Sequence, residues 1–67
     1  MDQIRIVLNK KELRLAAGTT VRQLMDQNGV RKAAVWINGR QLLKAQYDTC
    51  RLQDGDQVRL LRIMAGG

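Results

Sequence analysis

Three groups in this sequence have chemistry to offer: the thiol of Cys50, the turn-associated carboxylates Asp48, Asp54 and Asp56, and the α-carboxylate of Gly67 that follows Gly66. With no histidine in the chain and one cysteine, a hydrolytic triad, an internal disulfide and a thiolate–imidazole metal site all lack their parts. Cys50 has only Arg51 beside it to favour a thiolate, so it reads as a half-buried spare thiol. The three aspartates sit in or next to turns, where such side chains cap backbone N–H groups, and their spacing supplies no closing glutamate for a calcium loop. Gly18, Gly29, Gly39 and Gly55 each mark a turn, and none belongs to a phosphate-cradling loop. The body of the chain therefore reads as no enzyme, with no cofactor and no metal of its own.

The carboxylate of Gly67 is a different case. Its unperturbed pKa is roughly 3.5, so at neutral pH it is an anion and a poor electrophile. Any transfer from it requires prior activation to a mixed anhydride, such as an acyl-adenylate made from ATP by a second protein. Without Cβ atoms, Gly66 and Gly67 can thread a narrow channel where donors close on the reacting carbonyl, and Ala65 keeps the preceding position slim.

The elements that must present this terminus follow from periodicity. Gln3 to Asn9 alternates, with Ile4, Ile6 and Leu8 on one face, and Leu13 and Leu15 continue the pattern after a polar turn at Asn9-Lys10-Lys11. These two strands form an antiparallel hairpin. Gly18 breaks the second strand, and Thr20 with Gln23 has capping-box spacing ahead of the helical stripe Val21, Leu24, Met25. Asn28-Gly29 ends a helix of about two turns, too short to hold without packing. Val30 to Ala34 reads as a basic connection, Val35-Trp36-Ile37 as a third strand, and Asn38-Gly39 as a type I′ hairpin turn into a short return, Arg40 to Leu43. Lys44 to Thr49 is irregular with room for one helical turn; Gln57 to Met64 forms the last strand after the turn Leu52 to Asp56. The whole is an α+β domain with one helix across one face of a sheet.

The last strand breaks alternation. Val58 and Leu60 share a face, yet Leu61 and Ile63 are apolar on the opposite one. Either a bulge near Leu60-Leu61 shifts the register, or these two side chains are exposed as a docking patch beside the tail.

Composition narrows the setting. Twelve basic against six acidic residues give a net charge of +6. The basic residues are scattered and the only aromatic rings are Trp36 and Tyr47, which argues against a nucleic-acid platform and suits an acidic protein partner. No signal-like or membrane-spanning segment is present, and a reducing cytoplasm is the expected location.

Across nearly its whole length the chain resembles the ubiquitin-like sulfur carriers of the ThiS/MoaD class, in particular the short thiamine-pathway branch, ThiS. The landmarks are the first hairpin, Gly18-Thr19-Thr20-Val21, Val35-Trp36-Ile37-Asn38-Gly39, Leu52-Gln53-Asp54-Gly55-Asp56-Gln57-Val58 and the terminal Ala65-Gly66-Gly67. The resemblance implies a β-grasp fold over residues 1–64, with a mixed four- to five-stranded sheet whose last strand is central, and a flexible tail over residues 65–67. It implies that a ThiF- or MoeB-type adenylyltransferase uses ATP to adenylate Gly67. Sulfur from a cysteine desulfurase persulfide then yields a thiocarboxylate, which thiazole synthase or another acceptor enzyme consumes. Ala65 and Gly66 would be recognised as the tail, and Leu61 and Ile63 would meet the partner enzymes, the free carrier being a monomer. The positive charge departs from the acidic balance of many such carriers and leaves the activating enzyme and the acceptor open. So do carriers with the same tail that serve cysteine, homocysteine or molybdopterin synthesis. A ubiquitin-like modifier joined to lysines and a small basic RNA-binding domain are the competing readings.

Overall fold

The structure, a computed structural model, describes residues 2–63. Five strands and one α-helix follow in the order β1 (Gln3–Leu8), β2 (Lys11–Ala16), α1 (Val21–Gln27), β3 (Ala33–Ile37), β4 (Arg40–Gln41) and β5 (Gln57–Arg62), with a 3₁₀ turn at Lys44–Gln46. The sheet runs β2-β1-β5-β3-β4, with β1 and β5 parallel at its centre and the other neighbours antiparallel. This mixed sheet with a single helix on one face is the β-grasp arrangement, and the final strand is central as expected.

Local chemistry accounts for the connections. Asn9 and Lys10 have φ of 48° and 72°, so the first hairpin closes on a two-residue turn of type I′, and Leu8 pairs directly with Lys11. The first strand thus stops at Leu8 and the second begins at Lys11, one residue inside the polar turn expected from composition. Asn38 and Gly39 repeat the geometry with φ of 53° and 84°. At the start of α1 the Thr20 hydroxyl accepts the Gln23 N–H at 3.2 Å, and Gln23 Oε1 accepts the Thr20 N–H at 3.0 Å. Such a cap contributes about 1 kcal/mol. The rest of the helix's stability comes from Val21, Leu24 and Met25, which are buried against the sheet.

The core lies between α1 and one sheet face: Ile6, Leu15, Val35, Val58 and Leu60 come from the strands, and Tyr47 and Leu52 from the long return segment. Tyr47 is buried to its hydroxyl, which donates to the Ala33 carbonyl at 2.8 Å. Val30 and Ala33 are buried too, so Val30 to Ala34 is more than a basic connection, and β3 already begins at Ala33. Its two alanines hide the strand in the sequence because they carry little hydrophobic signal and low β propensity.

A candidate docking face and the root of the tail

Two clamps fix β5. At its start, the Leu52–Asp56 turn is tied to β1: Asp54 Oδ1 accepts the Arg5 N–H at 2.8 Å, and the Gly55 N–H donates to the Arg5 carbonyl at 2.7 Å. Asp56 accepts from the Gln53 N–H at 2.8 Å and from Asn38 Nδ2 at 3.1 Å, while Asn38 Oδ1 accepts the Gln57 N–H at 2.9 Å. Asp54 and Asp56 are turn caps, as their positions suggest, whereas Asp48 instead accepts from Arg22 Nε at 3.1 Å. At the far end, where β1 has turned away, Asn9 Oδ1 accepts the Leu60 N–H at 2.8 Å and Asn9 Nδ2 donates to the Leu60 carbonyl at 3.0 Å. On the other side, β5 runs in unbroken register along β3 from Ile37↔Val58 to Ala33↔Arg62, and the Ile63 N–H donates to the Lys32 carbonyl at 3.0 Å.

That continuous register rules out the bulge near Leu60-Leu61. Leu61 and Ile63 are instead exposed, at 54% and 53%, on the approach to the tail. Met64, Ala65, Gly66 and Gly67 lie outside the described residues. The domain boundary at residues 64 and 65 lies outside them as well.

The pleat places Leu61 on the sheet face away from α1, together with Arg59, Ala34, Trp36 and Val7. Register brings Trp36 opposite Arg59, whose guanidinium lies 6.0 Å from the indole ring centroid. Val7, Trp36, Gln57, Arg59 and Leu61 line a shallow depression with Lys10 on its edge. Sequence reasoning singled out Leu61 and Ile63 but neither Trp36 nor Arg59 as part of this face. The signal was present: Trp36 is the middle residue of Val35-Trp36-Ile37, so alternation turns it away from the core.

Cys50 is half-buried, as its sequence context suggests, and burial pushes its thiol above the ordinary range, with the Asp56 carboxylate adding to the effect. Such a thiol is poorly suited to attack. Among the described residues no group of three metal-ligating side chains comes together, and no helix is long and apolar enough to cross a membrane.

The geometry has counterparts among known proteins. A crystal structure of the thiamine biosynthesis protein ThiS from Geobacter metallireducens superposes with a TM-score of 0.78 at 28% identity, covering 96% of this chain and 100% of that one. The sulfur carrier protein ThiS of Escherichia coli (strain K12) is 36% identical over 66 residues, 96% of this chain and 100% of its own length. The model of the ThiS family matches residues 1–67, from the first strand through the terminal glycines. By fold, by sequence and by full-length family match, the chain belongs to the ThiS family.

Proposed function

We propose that this protein is a sulfur carrier of thiamine biosynthesis, working through the carboxylate of Gly67. The observation that carries this reading is the family match running through residue 67, at the end of a chain whose β5 leads directly toward Ala65-Gly66-Gly67. The E. coli relative is by name a sulfur carrier, and the Geobacter protein a thiamine biosynthesis protein.

The chemistry follows from the inertness of a carboxylate. A ThiF/MoeB-type adenylyltransferase joins the Gly67 carboxylate to the α-phosphate of ATP, and pyrophosphate leaves. The terminal sulfur of a persulfide, supplied through a cysteine desulfurase, attacks the activated carbonyl and AMP departs. Two electrons from a thiol then cleave the S–S bond and leave the Gly67 thiocarboxylate, a nucleophile that thiazole synthase or another acceptor consumes. The carrier contributes presentation: the clamps on β5 aim the chain, the glycines fit a confined site, and Leu61 and Ile63 give the enzymes an apolar handle.

Intact-mass measurement after incubation with the activating enzyme, ATP and a persulfide source tests the proposal. Exchange of one oxygen for one sulfur at the terminus is the expected result, and deletion of Gly67 should abolish both this and ATP–pyrophosphate exchange without altering the fold. High-mass lysine conjugates would point to a protein modifier instead, and comparable adenylation of the truncated chain would refute the role of the terminus.

A further inference from the structure

Strand β2 is an outer strand of the sheet, with β1 as its neighbour on one side. Hydrogen bonding on β1 shows which backbone groups of β2 are spent. Val7 and Asn9 donate their N–H groups to Asp56 and Val58 at 2.9 Å, and the Arg5 carbonyl accepts the Gly55 N–H at 2.7 Å. These residues turn their backbone toward β5, so Ile4, Ile6 and Leu8 turn theirs toward Leu15, Leu13 and Lys11. The Ala17 N–H, donating to the Asp2 carbonyl at 3.0 Å, continues that alternation. Glu12 and Arg14 are left with N–H and C=O groups directed off the edge, and among the described residues nothing pairs with them. The edge runs for 6 residues without a proline or a bulge, the devices that commonly blunt such a strand.

The same two residues carry opposite charges on the helix-free face. Glu12 lies 3.6 Å from Arg5, whereas Arg14 stands directly opposite Arg5, a like-charge pairing, and has no ion-pair partner among the described residues. Leu13, between them, is half-buried on the other face against the core. An acid and a base flanking one central residue match themselves when turned about a two-fold axis.

We propose that β2 pairs with β2 of a second copy of this chain, antiparallel about Leu13, joining the sheets edge to edge. In that register Glu12 of each copy faces Arg14 of the other as a hydrogen-bonded pair, exchanging both N–H···O=C bonds while carboxylate meets guanidinium. Leu13 meets Leu13 of the second copy as the closer, non-hydrogen-bonded pair. A slide of two residues sets Glu12 against its own copy, or Arg14 against its own. A slide of one opposes residues from different faces. The charges therefore select one register. Another protein's strand would meet the same bare edge, but this chain itself supplies the acid and the base at the spacing required. Strand β1 separates β2 from β5, so the contact leaves the approach to the tail uncovered and is independent of the carrier reading. It departs from the monomer that the family resemblance implies.

Pairing along one short edge buries far less than the roughly 1,200 Å² of a stable interface, so the expected dimer is weak, with a Kd between about 10 µM and about 1 mM. Sedimentation equilibrium of the full chain over about 10 µM to about 2 mM, at low salt, measures it. Glu12→Arg and Arg14→Glu should each weaken dimerisation about tenfold or more, because like charges then meet at both ends of the joint. An equimolar mixture of the two variants should recover it to within about threefold, since acid again faces base in the mixed dimer. Both positions are exposed, and Arg14→Glu places an acid opposite Arg5, so denaturation midpoints should stay near that of the parent. Amide exchange of the parent gives a second readout. Exchange at Glu12 and Arg14 should slow as concentration rises, while that at Leu13, bonded inside the hairpin, should not change.

A chain that stays monomeric throughout the range would overturn the pairing. So would a dimer that both variants form as readily as the parent, or variants whose mixture stays as weakly associated as each alone, because either result places the contact elsewhere. Should a variant fail to fold, the concentration dependence of exchange at Glu12 and Arg14 in the parent decides the matter by itself.

Discussion

The side-chain amide of Asn9 takes up both backbone polar groups of Leu60, accepting its N–H at 2.8 Å and donating to its carbonyl at 3.0 Å. Asn9 sits in the left-handed region with φ of 48°, at the point where β1 turns away and the parallel ladder to β5 has ended. The amide stands in for the strand that is no longer there. It therefore keeps the last turn of the central strand paired on both sides, immediately before Leu61 and Ile63.

Removing that amide should loosen the root of the tail. Asn9→Gly retains the backbone conformation and loses both bonds, at an expected cost of about 1–3 kcal/mol. Asn9→Ala adds the strain of a positive φ and should cost about 1 kcal/mol more. Denaturant midpoints measure the energies, and faster amide exchange at Leu60 localises the effect. A glycine variant as stable as the parent would show that the amide contributes nothing.

Tyr47→Phe tests the buried end of the core. The hydroxyl is the donor to Ala33, the first residue of β3, and without it that carbonyl is left in an apolar setting. A loss of about 1–2 kcal/mol in chemical denaturation is expected, with the folded far-UV spectrum preserved.

Leu61→Asp and Ile63→Asp separate docking from folding. Both side chains are more than half exposed, so each substitution should change stability by no more than about 0.5 kcal/mol. Affinity for the activating enzyme should drop by about tenfold or more if the pair anchors the interface. Unfolding of either variant would show it to be part of the core.

Cys50 supplies a pH prediction. Its thiol is pushed up by burial and then by Asp56, so the folded state disfavours the thiolate relative to the unfolded chain. The associated stability is complete below the unfolded value of about 8.5, and it is lost as pH rises through the higher folded value. Iodoacetamide should label Cys50 more slowly than a free peptide thiol in mildly alkaline buffer, and Cys50→Ala should flatten the alkaline decline. Labelling at the peptide rate would contradict the burial effect.

Local rules written in the sequence settled much of this protein. Asn38-Gly39 specified its turn because Asn followed by Gly adopts two successive positive φ angles most readily, and Thr20 with Gln23 specified the helix start through two reciprocal bonds. Alternation assigned Ile6, Val58 and Leu60 to the core, and the landmarks spread from the first hairpin to Gly67 carried the family resemblance. These features are legible because each depends on neighbours within a few residues.

Tertiary structure decided what depends on distant partners. Leu61 and Ile63 were compatible with a bulge or with exposure, and only the unbroken pairing with Ala33–Ile37 chose exposure. Asn9 read as a turn residue, and nothing near it in sequence indicates that its amide completes a strand about fifty residues away. Trp36 and Arg59 became neighbours through the β3–β5 register, which put an aromatic ring and a scattered charge side by side on one sheet face. Hydrogen-bond register is a property of paired strands, and a single strand's sequence fixes its faces but not its partners.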